Sequence, residues 1–256
     1  MTRPDQRGFR QKCLTSEPVH GIFVAIPHPV AVEVSAAAGV DFLCLDGEHA
    51  QIGRAEFENL IRAADVHGVP AIVRVPGHLP DSIASVLDAG ASGVLVPRVS
   101  SADQARAAVQ ATRYPPTGAR GVGPGRAAGY GYGIPDYLAS ANERIVLAIQ
   151  AETAESLQHI EDICAVDGVD VIFIGPGDLA VSLGAMGPAG RPKLDAAIAR
   201  ITSVARAAGR AVGIFCAAPS EVPQWRSLGI SFFLIGNDTR HLGGAVGALM
   251  TTARQG

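Results

Sequence analysis

DFLCLDGEH, residues 41–49, is a short apolar strand that runs directly into three ionisable side chains, Asp46, Glu48 and His49. Charged groups crowded at the end of a buried strand cost free energy unless they do chemistry. The arrangement recurs: apolar runs near 70–75, 145–150 and 170–174 end in Arg74, in Gln150 and Glu152, and in the turn that carries Asp178. Further runs near 21–26, 93–97, 211–215 and 231–235 bring the candidate strands to eight. Between them, segments 53–67, 80–89, 101–113, 153–165 and 194–208 carry apolar residues three and four positions apart, the spacing of amphipathic helices. Gly68, Gly90, Gly168, Gly209 and Gly229 each fall just past a helix and before a strand, where a left-handed C-cap belongs. Eight strands alternating with helices predict a (β/α)8 TIM barrel, with the whole of residues 1–256 as one domain.

Composition sets the outer limits. With 48% hydrophobic and 18% charged residues, the chain can bury one full core. A net charge of −3 leaves no basic footprint for nucleic acid. No apolar run approaches the ~20 residues that span a bilayer, and the charged start MTRPDQRGFRQK is followed by no signal-peptide core, so the expected location is the cytoplasm. Cys13, Cys44, Cys164 and Cys216 lack paired spacing and read as reduced thiols, Cys216 as a small buried residue.

One interval breaks the rhythm. Residues 114–143 hold a glycine-dense loop at about 115–133, too long for an ordinary connection. Arg120 and Arg126 within it could present cations to an anion, although the spacing matches no nucleotide motif, and a flexible surface excursion fits the composition equally well. IPDYLASANE, closing the interval, reads as a short helix. LGAMGPAGRPK, residues 183–193, reads as an irregular rim element.

Active sites of such barrels form at the C-terminal ends of the strands. That rim collects Asp46, Glu48, His49, Arg74, Gln150, Glu152, Asp178, Asn237 and Asp238. Each has a plainer reading: Arg74 as a structural ion-pair partner, Asp178 as a helix cap, Glu152 as the complement of a helix dipole, His49 as a satisfied rim histidine. Their coincidence on one rim favours chemistry. Glu152 and Asp178 offer hard oxygen ligands for a divalent cation such as Mg, Mn or Co. Such a cation can chelate a 2-oxo acid and polarise its carbonyl. Arg74 can hold the same oxygens and stabilise an enolate, and His49, oriented by Asp46, can serve as general base. The set suits retro-aldol cleavage. An imine route needs a lysine inside the barrel, and the chain has only Lys12 and Lys193, neither at a strand end.

LDGEHA (45–50), RVPG (74–77), LDAGASGVLVPRV (87–99), ATRYPPTGARGVG (111–123), IPDYL (134–138), QAETAES (150–156) and GVDVIFIGPGDL (168–179) together resemble, in order, the HpcH/HpaI family of class II pyruvate-dependent aldolases. The resemblance implies a barrel assembled as a homo-hexamer with the last helix exchanged between subunits. It implies a divalent metal on Glu152 and Asp178, pyruvate bound by Arg74, Gln150 and the backbone near Gly177, and a base at His49 paired with Asp46. It also implies that Asp88 and Arg126 reach a neighbouring subunit's site to help with the aldehyde, and that Ile22, Phe23 and Pro27 shape the aldehyde pocket. The expected reaction is metal-dependent cleavage of 4-hydroxy-2-oxo acids to pyruvate and a small aldehyde. Alternatives are a citryl- or malyl-type thioester lyase and a non-catalytic barrel that binds 2-oxo acids. The chain departs from the family pattern at Gln51, where proline is common, at Gly177, where alanine is common, and in a shorter, glycine-richer loop at 124–133.

Overall fold

The computed structural model describes residues 4–255. Eight parallel strands close into a barrel in sequence order, β8 pairing back onto β1. The strands are β1 (Val19–Val24), β2 (Phe42–Asp46), β3 (Ala71–Arg74), β4 (Gly93–Val96), β5 (Val146–Ala151), β6 (Val171–Ile174), β7 (Ala211–Cys216) and β8 (Phe232–Asn237). Helices α1 (Gln6–Leu14), α2 (Pro29–Ala37), α3 (Arg54–Val66), α4 (Pro80–Asp88), α5 (Ala102–Thr112) and α6 (Ile134–Arg144) come before β5. They are followed by α7 (Ala154–Gln158), α8 (Ile160–Cys164), α9 (Pro176–Ser182), α10 (Gly187–Ala207), α11 (Val222–Ser227) and α12 (Asp238–Gln255).

The strands read as unbroken apolar runs because both faces are buried, yet a period of two operates within them. Phe42, Cys44, Ile72, Leu95, Val146, Ala148, Val171, Phe173, Phe232 and Leu234 fill the barrel. Their alternates Leu43, Leu45, Val73, Val94, Leu147, Ile149, Ile172 and Phe233 pack outward against the helices. Each such residue taken fully out of water contributes roughly 1.5–3 kcal/mol. The same alternation turns Asp46, Arg74, Gln150 and Glu152 inward above the packed layer. Glycine gives the rings room. A Cβ on Gly21 would lie 2.6 Å from the Phe42 carbonyl oxygen, and one on Gly213 would lie 2.7 Å from the Phe173 ring.

The five glycines expected as left-handed caps all have positive φ. Other expectations needed correction. The helix expected over 153–165 is two short helices, α7 and α8, that meet at His159. The tract 183–193 is mostly the first turns of α10, which starts at Gly187 and carries Pro192 within it. A proline near a helix start sacrifices only one of the backbone bonds, so the tract's composition hid a helix. Helices α1 and α2 were not foreseen. Helix α1 closes the N-terminal mouth of the barrel, with Phe9 against Phe42 and Phe232 and Arg10 on Asp170. The glycine-rich loop holds a 3-10 turn over Arg126–Gly131, and the helix expected after it is α6.

Candidate active site

The site is built on a pair of strand-end residues in register, Asp46 on β2 and Arg74 on β3. Arg74 donates from Nε to Asp46 Oδ1 (2.9 Å) and from Nη2 to Asp46 Oδ2 (2.7 Å). Asp46 Oδ1 also accepts from the backbone N–H groups of Glu48 and His49, both at 3.1 Å. Burial pushes the Asp46 carboxyl up, but Arg74 and the two backbone donors more than offset it and hold Asp46 below the usual carboxylate range. The expected pairing of Asp46 with the His49 ring is therefore corrected: Asp46 meets the backbone of His49. The carboxylate facing its imidazole is Glu48, with Oε2 3.6 Å from His49 Nε2 and 3.3 Å from Arg74 Nη1.

Across the mouth, Glu152 stands just past β5, 2% exposed. Its Oε1 accepts from the Arg98 backbone N–H at 3.0 Å, and its Oε2 accepts from Gln150 Nε2. Arg98 holds a left-handed conformation (φ 53°), a strain that aims its N–H at Glu152. Gly175 is required beside them, because a Cβ there would lie 2.4 Å from Glu152 Oε2. Burial first, and then the Asp178 carboxylate, push Glu152 up to about 7; the Gln150 bond opposes this. Burial likewise raises Glu48, against the pull of Arg74. Asp178 lies in the first turn of α9 and makes no side-chain hydrogen bond among the described residues, so capping does not account for it.

Among the described residues, Gln150 Oε1 is buried in this cluster without a hydrogen-bond partner, and Glu48 Oε2 has only its ion-pair contacts with Arg74 and His49. Carboxylates raised by burial and then by neighbouring negative charge, with an unpartnered amide oxygen beside them, are what a hard cation would satisfy, so the donor set fits a divalent metal. Among the described residues no three His, Cys, Asp or Glu side chains form a preformed cage. A cation on two carboxylates would thus keep positions for water and substrate.

Asp46, His49, Arg74, Gln150, Gly177 and Asp178 line one cavity of about 260 Å³, together with Phe23, Phe173, Phe215 and Asn237. The remaining expectations divide. Asp88 ends α4 and Arg126 pairs with Asp65 and the Ala89 carbonyl, both at the opposite end of this barrel. Ile22 faces the outer layer while its neighbour Phe23 faces the cavity, as strand alternation demands. Asp238 accepts from the Ala25 and Ile26 backbone N–H groups, which fixes the exit of β1. Cys216 is buried in the outer layer, its thiol pushed up to about 12 by burial. Sequence reasoning gave Glu48 no role and did not find Phe215. Glu48 had a signal, its place between Asp46 and His49, whereas Phe215 reads as one more strand residue.

Residues 20–245 match the sequence profile of the HpcH/HpaI aldolase/citrate lyase family. The chain belongs to that family. It is 38% identical to a hydroxypyruvate/pyruvate aldolase from Cupriavidus necator, over 98% of this chain and 94% of that protein. It is 37% identical to a 4-hydroxy-2-oxo-heptane-1,7-dioate aldolase from Salmonella paratyphi B, over 98% of this chain and 95% of that protein. A crystal structure of an HpcH/HpaI aldolase/citrate lyase family protein from Burkholderia cenocepacia superposes with a TM-score of 0.91 at 35% identity, covering 97% of this chain and 99% of that one. The protein is an enzyme of the aldolase class of carbon–carbon lyases, and its closed eight-stranded barrel is the (β/α)8 fold.

Proposed function

We propose that the protein is a metal-dependent aldolase that cleaves 4-hydroxy-2-oxo acids to pyruvate and an aldehyde and catalyses the reverse condensation. The observation that carries this reading is the convergence of Arg74 and the uncommitted carboxylate Asp178 on one strand-end cavity, with the raised carboxylate Glu152 beside them, bonded to the lining residue Gln150 and acted on by the Asp178 charge. A divalent cation (Mg, Mn or Co) held by Glu152 and Asp178 would supply Lewis acidity toward the carbonyl oxygen of the 2-oxo acid. Arg74, locked by Asp46, offers a fixed guanidinium to the substrate oxygens and to the negative charge that develops as the C3–C4 bond breaks. His49 takes the proton of the C4 hydroxyl, whose oxygen becomes the aldehyde carbonyl. The bond's electron pair becomes the pyruvate enolate, which is protonated at C3. Gln150 orients Glu152, and Gly177 lines the cavity without a side chain. Lys12 lies on α1 at the far mouth, and Lys193 donates to the Leu183 carbonyl. Neither lines the cavity, which favours the metal route over an imine.

Assembly belongs to the same proposal. An apolar groove of about 690 Å³, lined by Ile22, Ile26, Val30, Val34, Val40 and Leu242, lies open beside the start of α12. Helix α12 itself exposes Leu242, Val246, Leu249 and Met250. Exchange of α12 between subunits of a homo-hexamer would cover both surfaces. Among the described residues no helix is long and apolar enough to cross a membrane.

The test is pyruvate release from a panel of 4-hydroxy-2-oxo acids, with and without EDTA, followed by re-addition of Mg, Mn or Co. Metal-restored cleavage is the expected result. If nothing is cleaved and the methyl protons of pyruvate do not exchange with solvent in the presence of metal, the reading fails in favour of a thioester lyase or a binding-only barrel.

A further inference from the structure

The Glu152 carboxylate is held at both oxygens. Oε2 accepts from Gln150 Nε2, and Oε1 accepts from the Arg98 backbone N–H at 3.0 Å. Gln150 precedes Glu152 at the same strand end, so the first bond follows from the local chain. The second depends on which way one peptide unit at the exit of β4 faces.

That peptide joins Pro97 to Arg98. It is planar and trans, so its C=O and N–H point in opposite directions. The N–H meets Glu152. On the other side, the Pro97 carbonyl oxygen accepts from His78 Nε2 at 2.6 Å. A carbonyl oxygen only accepts, so His78 Nε2 carries a proton. One line of bonds thus runs from His78, in the loop between β3 and α4, through the Pro97–Arg98 peptide to the carboxylate beyond β5.

The peptide is held in a costly conformation. Arg98 has φ of 53°, in the left-handed region that a residue with a Cβ adopts only when its surroundings over-determine it. The segment after it is anchored. The Val99 N–H donates to the Gln150 carbonyl oxygen (3.0 Å), the Ser100 N–H donates to Gln104 Oε1 (2.7 Å), and Ser100 Oγ lies 2.8 Å from Thr153 Oγ1. Those bonds fix the chain beyond Arg98, while the Pro97–Arg98 peptide itself is gripped by His78 and Glu152. Bonds in such a line also reinforce one another, because a peptide whose C=O accepts is a stronger donor at its N–H.

We infer, on the reading of Glu152 as a metal ligand proposed above, that His78 is a positioning residue for the metal site. By gripping the Pro97 carbonyl it turns the Arg98 N–H toward Glu152 and fixes the rotamer in which that carboxylate meets the cation. His78 does not line the cavity and acts only through the peptide. Outer hydrogen-bond partners of metal ligands typically change affinity by ~10- to 100-fold when removed, and a partner one peptide further out belongs at the lower end. A role confined to tying the loop to the barrel would use the same bond and leave metal affinity alone.

The experiment measures Mn affinity by calorimetry, without substrate, on the full chain. His78→Leu and His78→Ala remove the donor, the first at similar bulk and the second without added apolar surface. His78→Gln keeps an N–H near the place of Nε2. Leu79→Ala disturbs the same loop at an exposed neighbour, 70% accessible. His78 is half-buried, so the variants are expected to fold, which circular dichroism checks. The two donor-free variants should raise the Mn dissociation constant about tenfold, with His78→Gln and Leu79→Ala close to the wild type. Wild-type affinity in the donor-free variants overturns the inference. So does a His78→Gln protein as weak as His78→Leu, because the donor is then not what matters, and so does an equally weak Leu79→Ala, because loosening of the loop would then suffice. Glu152→Gln separates the two readings. If the wild type binds no Mn, or Glu152→Gln binds it as tightly, the metal reading of Glu152 fails and takes the inference with it. If Glu152→Gln loses Mn and the donor-free variants keep it, only the role of His78 fails.

Discussion

At the scale of residues, the site depends on a few side chains whose environments set them apart. His49 is largely exposed and anchors nothing in the fold, so His49→Ala should leave stability within ~0.5 kcal/mol. In the proposed mechanism it lowers kcat for cleavage by roughly 100- to 10,000-fold. Affinity for Mn, measured by calorimetry, should be unchanged; equal loss of both would remove His49 from its role. Glu152 makes a pH prediction. Its folded-state value of about 7 lies above the ordinary 4.5, so between these values the folded, metal-free protein keeps a proton that the unfolded chain has lost. Stability relative to Glu152→Gln should therefore fall as pH rises from 4.5, and the loss should be complete above 7 at roughly 3 kcal/mol. Urea unfolding of both metal-free proteins at several pH values measures this, and a difference that stays flat with pH contradicts it. In the proposed function, a metal bound at Glu152 would replace the proton and remove the loss.

At the scale of elements, the strands place those residues, and the space inside the barrel is set by glycine against phenylalanine. Gly213→Ala would put a Cβ 2.7 Å from the Phe173 ring and 2.9 Å from the Phe232 ring. We expect ~1–3 kcal/mol of destabilisation from overpacking, read as a shift in the urea midpoint. Because Phe173 also lines the cavity, KM for the 2-oxo acid should rise as well. Most elements were legible in the sequence. Eight apolar runs were the eight strands, and glycines marked the helix ends, because those signals are local. The failures were also physical. The break at His159 is a single backbone departure (φ −104°, ψ 20°) inside a sequence whose helical period runs on through it, so the period did not mark it. The start of α10 was obscured by Gly187, Pro188, Gly190 and Pro192, which helices tolerate in their first turns and rarely elsewhere.

At the scale of the whole molecule, α12 and the groove beside it expose Val30, Val34, Leu242, Val246, Leu249 and Met250. Leu242 and Leu249 are 58% and 65% exposed, so Leu242→Asp with Leu249→Asp should cost the single chain little while breaking the proposed assembly. Light scattering should give a multiple of 26.3 kDa for the wild type and 26.3 kDa for the variant. A monomeric wild type would dismiss exchange of the helix. The sequence by itself determined the barrel and the shared rim to which its strand ends bring Asp46, Arg74, Glu152 and Asp178, because a period of two and a strand end are properties of neighbouring residues. Tertiary structure alone decided the partners. It gave Asp46 to Arg74 and the backbone, put Glu48 before the His49 ring, turned Phe23 inward and Ile22 outward, and kept Asp88 and Arg126 at the far end of the barrel. These contacts join residues from different strands and helices, and their distances exist only once the sheet has closed.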